Sequence, residues 1–431
     1  MRKRNKSIRN NINGEIILEK EGWKKIHVYG DPYEIGYAHG YLLSKELKRS
    51  YKIMEFLVKN DFKITMKKYI ETCKRLLFNI IKSKYPDIFK ELQGISDGAK
   101  IKGVKVSLDF LIASNSYMSL YEYFTGKSME RCSAFIACGD ATENNDIVMA
   151  HNTHTDFGTG QLLNIVMIVT PSNGIEFTMQ TSPGFVASSS DWFITKAGIV
   201  GCETTMHSVK YNVDFGSPYF CRVRSAMQHC ENLDQYANIM LTDNAGDYPC
   251  SWLFGDLNKK EIMLLEIGLN YHNKQKKTNG VFYGSNTVMS KKMRVLETND
   301  TSHIDDNDSC GARSLRLNYL LMDKYYGKIN LENSKKIISD HFDSYFNKIN
   351  KQGRCICVHY EEDPLYGYTP AGCTDGKILN TELAKNLKFY GRFGSCCGRK
   401  LIIKDYIKKN PQYEKWGKIL EDFKSFKWIK L

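Results

Sequence analysis

Cys132 stands in the segment Glu130-Arg131-Cys132-Ser133-Ala134-Phe135-Ile136-Ala137-Cys138-Gly139, where a charged approach gives way to a run of small and apolar residues. Nineteen positions further on (151 − 132) comes His151, in Val148-Met149-Ala150-His151-Asn152-Thr153-His154. Both runs read as strands, and Asn144-Asn145-Asp146 between them reads as a hairpin turn. Pairing them brings a thiol close to imidazole and amide groups. This is the layout expected of a chain that cuts itself between Arg131 and Cys132. The new N-terminal residue then serves as both nucleophile and base. A free thiol near pKa ~8.5 is only a few per cent thiolate at neutral pH, so it needs activation. A liberated α-amino group, near pKa ~8, can take the thiol proton and return it to a leaving group. The plain alternative is that Cys132 is a buried strand cysteine, as free cysteines often are.

The elements that must position these groups follow from periodicity. Residues 1–30 read as a basic leader and a first strand. Asp31-Pro32-Tyr33-Glu34 opens a helix running toward Leu47, with Gly36 and Gly40 on one face, where they permit close approach of another backbone. Residues 51–100 and 104–124 read as further helices. After Cys132 short strands dominate: 133–137, 147–151, 164–170, 175–180, 198–205 and 262–267. Helices return at 217–240 and 310–326. Cys355-Ile356-Cys357-Val358-His359 alternates as a strand does and lacks the spacing of known structural zinc sites, so no metal is expected there. The sum is an α+β chain with sheet layers covered by helices.

Composition excludes several classes. The 431 residues carry 61 Lys+Arg against 48 Asp+Glu, a net charge of +13. The basic residues are spread along the whole chain, which suits ordinary solubility or transient attraction to an anionic membrane surface. No nucleic-acid-binding pattern accompanies them. The basic start Met1-Arg2-Lys3-Arg4-Asn5-Lys6 is not followed by an apolar signal core, and no run of ~18 apolar residues occurs. The expectation is a cytoplasmic protein whose 13 cysteines are mostly reduced.

Taken in order, the motifs resemble the phospholipase B-like family and the autoproteolytic penicillin-acyltransferase-like cysteine hydrolases. Both belong to the N-terminal nucleophile (Ntn) hydrolase superfamily. The residues that carry the resemblance begin with Asp31-Pro32-Tyr33-Glu34-Ile35-Gly36-Tyr37. Cys132-Ser133-Ala134, His151-Asn152-Thr153, Gly184-Phe185 and Glu203-Thr204-Thr205 follow. Then come Trp252-Leu253-Phe254-Gly255-Asp256, Asp375-Gly376-Lys377 and Arg392-Phe393-Gly394.

The resemblance implies a four-layer αββα sandwich of two antiparallel sheets. Residues 1–131 are then a leader and helical segment, cleaved from but packed on a 132–431 hydrolase core. The implied activity is hydrolysis of amide or ester bonds in a lipid-like or acylated small molecule, with no metal or organic cofactor. A catalytically altered relative that binds lipid or protein, or an acyltransferase, is the competing outcome. A papain-like protease lacks the required surroundings, because the cysteine opens a strand and not a helix. Animal members carry secretion signals, which this chain does not show.

The resemblance also assigns roles. Cys132 is the nucleophile. His151 takes the place of an arginine that contacts the nucleophile in bile-salt hydrolases, with Asn152 beside it. Thr204 or Thr205 lines the oxyanion site, and alternation allows only one of them to face it. Asn286 is a second oxyanion donor. Arg313 holds the constellation together, with Arg316 as competitor. His154 stands where tryptophan is usual and becomes a pocket residue. Phe185 and Trp192, with Phe193 and Tyr219, are candidates for the acyl pocket or for ordinary core.

Overall fold

The computed structural model describes residues 12–126, 132–206, 216–298, 301–362 and 369–431. Before Cys132 it holds two strands, β1 (Gly14–Lys20) and β2 (Trp23–Gly30). Six helices follow: α1 (Pro32–Leu42), α2 (Ser44–Leu57), α3 (Met66–Lys84), α4 (Pro86–Ile101), α5 (Leu108–Asn115) and α6 (Tyr121–Thr125). After it come β3 (Ser133–Cys138), β4 (Val148–Asp156), the short α7 (Phe157–Gly160), β5 (Ile165–Pro171), β6 (Phe177–Thr181), β7 (Trp192–Thr195) and β8 (Ile199–Thr205). The chain continues with α8 (Tyr219–His229), α9 (Leu233–Leu241), β9 (Cys250–Asp256), β10 (Glu261–Ile267), β11 (His272–Lys277), β12 (Gly280–Gly284), α10 (Lys291–Glu297), α11 (Ser309–Asn318) and α12 (Leu331–Ile338). It closes with a two-residue hairpin, β13 (Phe342–Asp343) and β14 (Lys348–Ile349), then β15 (Ala371–Asn380), β16 (Tyr390–Phe393) and β17 (Ile429–Lys430).

Two sheets result. One has nine strands in the order β1-β2-β5-β6-β7-β8-β9-β10-β11, the other six in the order β12-β3-β4-β15-β16-β17. They pack face to face: Ile136 of β3 lies against Gly255 of β9, and Thr204 of β8 lies against Gly284 of β12. Helices flank the stack, with Tyr236 of α9 stacked on Phe193 of β7 at 5.3 Å between ring centroids. The expectation of purely antiparallel sheets is corrected at one junction. β2 and β5 run parallel, Lys24 opposite Ile165 through Gly30 opposite Pro171. A parallel pair needs a long crossover, and here the six N-terminal helices lie between its strands. The segment before Cys132 and the segment after it therefore share one hydrogen-bonded sheet.

Several elements divide where sequence periodicity runs on. The first helix stops at Leu43, and 217–240 is broken between α8 and α9, where Asn232 caps α9 by accepting from Asp234 and Gln235 N–H. Residues 355–359 form no strand. Cys357 N–H donates to Asp340 O and His359 N–H to Lys351 O, both in loops, and the link to β15, Cys373 N–H to Val358 O, does not extend into a ladder.

α1 and α4 meet backbone to backbone. Gly36 and Gly40 of α1 face Glu91 and Ile95 of α4, and Gly94 and Gly98 of α4 face Tyr33 and Tyr37 of α1. A Cβ on Gly36 would run into the Glu91 carbonyl. Gly36→Ala is therefore expected to lower stability by about 1–3 kcal/mol, toward the upper end because the obstacle is backbone. Urea unfolding followed by circular dichroism measures it, and an unchanged midpoint would refute the packing argument.

His39 of α1 ties this helical layer to the core by accepting from Gly184 N–H at 2.9 Å. Burial drives its pKa from 6.5 down to about 3. The folded-state value lies below the unfolded one, so between these pH values the unfolded chain binds the proton and the folded chain does not. The contribution is complete above about 6.5 and is lost as pH falls toward about 3. In His39→Gln, stability is expected to fall less steeply across that window than in the unaltered chain, as read from urea midpoints at stepped pH.

Candidate active site

Cys132 immediately precedes β3 with φ +83°, the left-handed region that costs a non-glycine residue strain. Its side chain is 3% exposed. Arg131, the other half of the expected junction, lies outside the described residues. Burial pushes the Cys132 thiol well above its ordinary value, and the Glu203 and Asp191 carboxylates add to this. Lys377 and the backbone amide of His154 pull the other way. At neutral pH the thiol of the intact chain is therefore protonated.

The carbonyl side of the same residue is held by Arg313 of α11. Its Nη1 donates to Cys132 O at 2.7 Å and to Ser133 Oγ at 3.1 Å, and its Nη2 donates to Asn286 Oδ1 at 2.8 Å. Asn286, in the turn after β12 and itself at φ +74°, donates from Nδ2 to Thr205 O at 2.7 Å. One fully buried guanidinium thus joins the start of β3, the end of β12 and the end of β8. Arg316 does something else: it forms a two-pronged pair with Asp340 at 2.9 and 2.8 Å.

β4 pairs with β3 so that Ser133 lies opposite Asn152 and Ala134 opposite His151. Alternation then sorts the β4 side chains. Asn152 accepts from Ser133 N–H at 2.9 Å and donates to Ile338 O and Ile356 O, on the outer face of the six-stranded sheet. His154 follows it there, its Nε2 3.0 Å from Ile356 O. Its ring thus shares the outer face with the Asn152 side chain.

His151 points between the sheets. Its Nε2 lies 3.0 Å from Glu203 O, which can only accept, so Nε2 carries the proton and Nδ1 the lone pair. Burial, aided by Lys377, holds this imidazole neutral. It can accept a hydrogen bond, but it brings no charge to the thiol.

The two threonines of β8 separate as alternation requires. Thr204 faces Gly284 across the gap between the sheets, and its buried Oγ1 has no hydrogen-bond partner among the described residues. Thr205 faces the opposite way and meets Tyr248 Oη at 3.0 Å. Tyr248 in turn donates toward Glu203 Oε1 at 2.9 Å. The aromatic candidates part in the same manner. Trp192 lies 6.5 Å from the His151 ring, whereas Phe193 stacks under α9. Phe185 packs on Phe220 of α8 and Tyr219 on Tyr248.

Lys377 is a site residue to which sequence reasoning gave no role. It is fully buried on β15, opposite His151, with Nζ 2.8 Å from Asp375 Oδ1 and 2.9 Å from Thr153 Oγ1. Gln180 Nε2 donates to the other Asp375 oxygen at 2.8 Å. The readable signal was the i, i+2 spacing of opposite charges on a strand, which puts both on one face.

No family model matches the chain. Among curated proteins it is 26% identical over 309 residues to Phospholipase B-like 1 of Bos taurus, covering 64% of this chain and 54% of that protein. It is 25% identical over 261 residues to an uncharacterised protein of Archaeoglobus fulgidus, covering 55% of this chain and 42% of that one. The chain spans about half the length of the curated relatives it matches. Among solved structures, two variants of the conjugated bile acid hydrolase from Clostridium perfringens align at TM-scores of 0.37 and 0.30, with 8% and 10% identity. They cover 61% and 62% of this chain and 89% and 82% of their own.

The Arg313 fork makes a direct prediction. Arg313→Lys keeps the charge but cannot reach Cys132 O, Ser133 Oγ and Asn286 Oδ1 together. The expected loss is about 2–3 kcal/mol, the scale of charge-assisted hydrogen bonds left unmade in a buried site. Urea denaturation measures it, and a loss below about 0.5 kcal/mol, the range of ordinary surface changes, would remove Arg313 from its central place.

Proposed function

We propose that this chain is a self-processing acyl hydrolase of the N-terminal nucleophile kind. In this reading it cleaves amide or ester bonds of a lipid-like or acylated small molecule, on an αββα core. The observation that carries the reading is Cys132 itself. It is a strained non-glycine residue at a strand entrance, and its carbonyl lies in a buried arginine fork.

The first step is self-cleavage. The Cys132 sulfur attacks the carbonyl carbon of Arg131, a C–S bond forms, and the C–N bond to Cys132 breaks. The thiol proton passes to the departing nitrogen. Water then hydrolyses the thioester, which leaves a carboxylate on Arg131 and restores the thiol beside a free α-amino group. Because β2 pairs with β5, the N-terminal piece stays bound after the cut.

In turnover the amine takes the thiol proton and the sulfur attacks the substrate carbonyl. The oxyanion is assigned to the Thr204 hydroxyl and the Asn286 amide. His151 accepts a hydrogen bond at Nδ1 and so orients the amine, and Arg313 positions Cys132 and Asn286. The leaving group takes the proton back from the ammonium, and water resolves the acyl-enzyme. Lipid-like substrates are favoured by the similarity to Phospholipase B-like 1. Among the described residues no helix is long and apolar enough to cross a membrane, so encounter with a lipid surface would rest on the +13 charge.

Intact mass and N-terminal sequencing test this reading. The purified protein is expected as two associated pieces of 131 and 300 residues (431 − 131), the second beginning at Cys132. Cys132→Ala should remain one chain and lose hydrolysis of long-chain acyl esters and N-acyl amino acids. Hydrolytically competent protein that is uncut at this junction would overturn the proposal.

A further inference from the structure

A second constellation lies on the outer side of the six-stranded sheet. His341, Cys357, His359 and Cys397 come from the turn after α12, the irregular 355–359 segment and the turn after β16. Their ligand atoms all lie within 4.8 Å of one another. His359 is the hub. Its Nε2 is 3.2 Å from His341 Nε2, 3.6 Å from Cys357 Sγ and 3.4 Å from Cys397 Sγ.

His359 Nδ1 lies 2.8 Å from a Glu361 carboxylate oxygen, so the proton of the neutral ring sits on Nδ1 and Nε2 offers its lone pair to the cluster. One lone pair cannot serve three neighbours at once, but a cation at the centre satisfies all four groups together. With Zn–N of ~2.0 Å and Zn–S of ~2.3 Å, a regular tetrahedron has N···N edges of ~3.3 Å and N···S edges of ~3.5 Å. The three separations from His359 Nε2 match those edges.

We propose that His341, Cys357, His359 and Cys397 bind one zinc ion. Uptake releases the two thiol protons to solvent, and two thiolates and two neutral imidazoles then neutralise and enclose the metal. Four protein ligands leave no open position, so the ion is structural. Glu361 fixes the His359 tautomer from outside the ligand set, as carboxylates beside zinc-bound histidines do. Cys373 and Cys396, 3.4 Å apart, adjoin Cys357 and remain outside the tetrahedron.

The zinc would pin a stretch of chain that matters elsewhere. Ile356, next to Cys357, supplies the carbonyl that meets both Asn152 and His154. Sequence spacing gave no warning, because the four ligands are separated by 16, 2 and 38 positions (357 − 341, 359 − 357, 397 − 359).

The test uses the full chain purified without added chelator. Elemental analysis is expected to find about one zinc per chain. Exchange for cobalt should give the visible absorption of a tetrahedral ion with thiolate charge-transfer bands. His341→Ala and Cys397→Ser should abolish that spectrum, whereas Cys373→Ser should keep it. Glu361→Gln preserves every ligand and should weaken zinc binding about 10- to 100-fold in chelator competition, even if the ligand variants fail to fold. Three results would each overturn the proposal: reduced, folded protein that takes up neither zinc nor cobalt; a Cys357–Cys397 disulfide found by peptide mapping; or a cobalt spectrum lost in Cys373→Ser and kept in Cys397→Ser.

Discussion

A single buried guanidinium organises the centre of this molecule. Removing a full charge from water costs several kcal/mol, and only well-placed acceptors offset it. Arg313 finds them on Cys132, Ser133 and Asn286, which belong to segments about 150 residues apart in sequence but adjacent in space. The requirement runs in both directions. Arg313 stays buried only if β3, the turn after β12 and α11 close on one another, and those segments are fixed because Arg313 demands it. Asn286 passes the constraint to β8 through Thr205 O. The residue that would do chemistry is therefore held by its carbonyl, and its sulfur and its bond to Arg131 remain the parts that can react.

How much of this the sequence discloses depends on the range of each interaction. Strands near Cys132 are legible because turn residues bound them and pairing follows a short hairpin. Separation of Thr204 from Thr205 follows from alternation, but which one faces the gap depends on which side of β8 meets the second sheet. That is a fact about packing. The parallel β2–β5 pair is invisible in sequence for the same reason: its partner is chosen across more than 130 residues.

Residues 355–359 mislead in an instructive way. They alternate as a strand does, but among the described residues they meet β15 through one backbone hydrogen bond, Cys373 N–H to Val358 O, while Cys357 and His359 turn to the His341 cluster. Lys377 misleads through composition, since lysine reads as surface, and only its pairing with Asp375 and Thr153 explains its burial.

The electrostatics around Cys132 explain why a cut would be needed at all. In the intact chain the thiol is enclosed, carboxylates on the Glu203 side oppose its ionisation, and the one lysine that favours it is already engaged with Asp375. His151 is neutral and adds no positive charge. Nothing in that inventory makes a strong nucleophile. A free α-amino group at Cys132 is the one addition that places a proton acceptor, and then a cation, on the same residue as the sulfur. Geometry must hold while this happens, and Asn152 shows how. Its oxygen receives the Ser133 N–H, while its nitrogen anchors to Ile338 and Ile356 on the far side of the sheet. The stiffness of β3 at Cys132 is therefore borrowed through β4 from the loop that carries Cys357. Whatever fixes that loop also fixes the residue next to the thiol, so the two constellations on opposite faces of one sheet are mechanically a single arrangement.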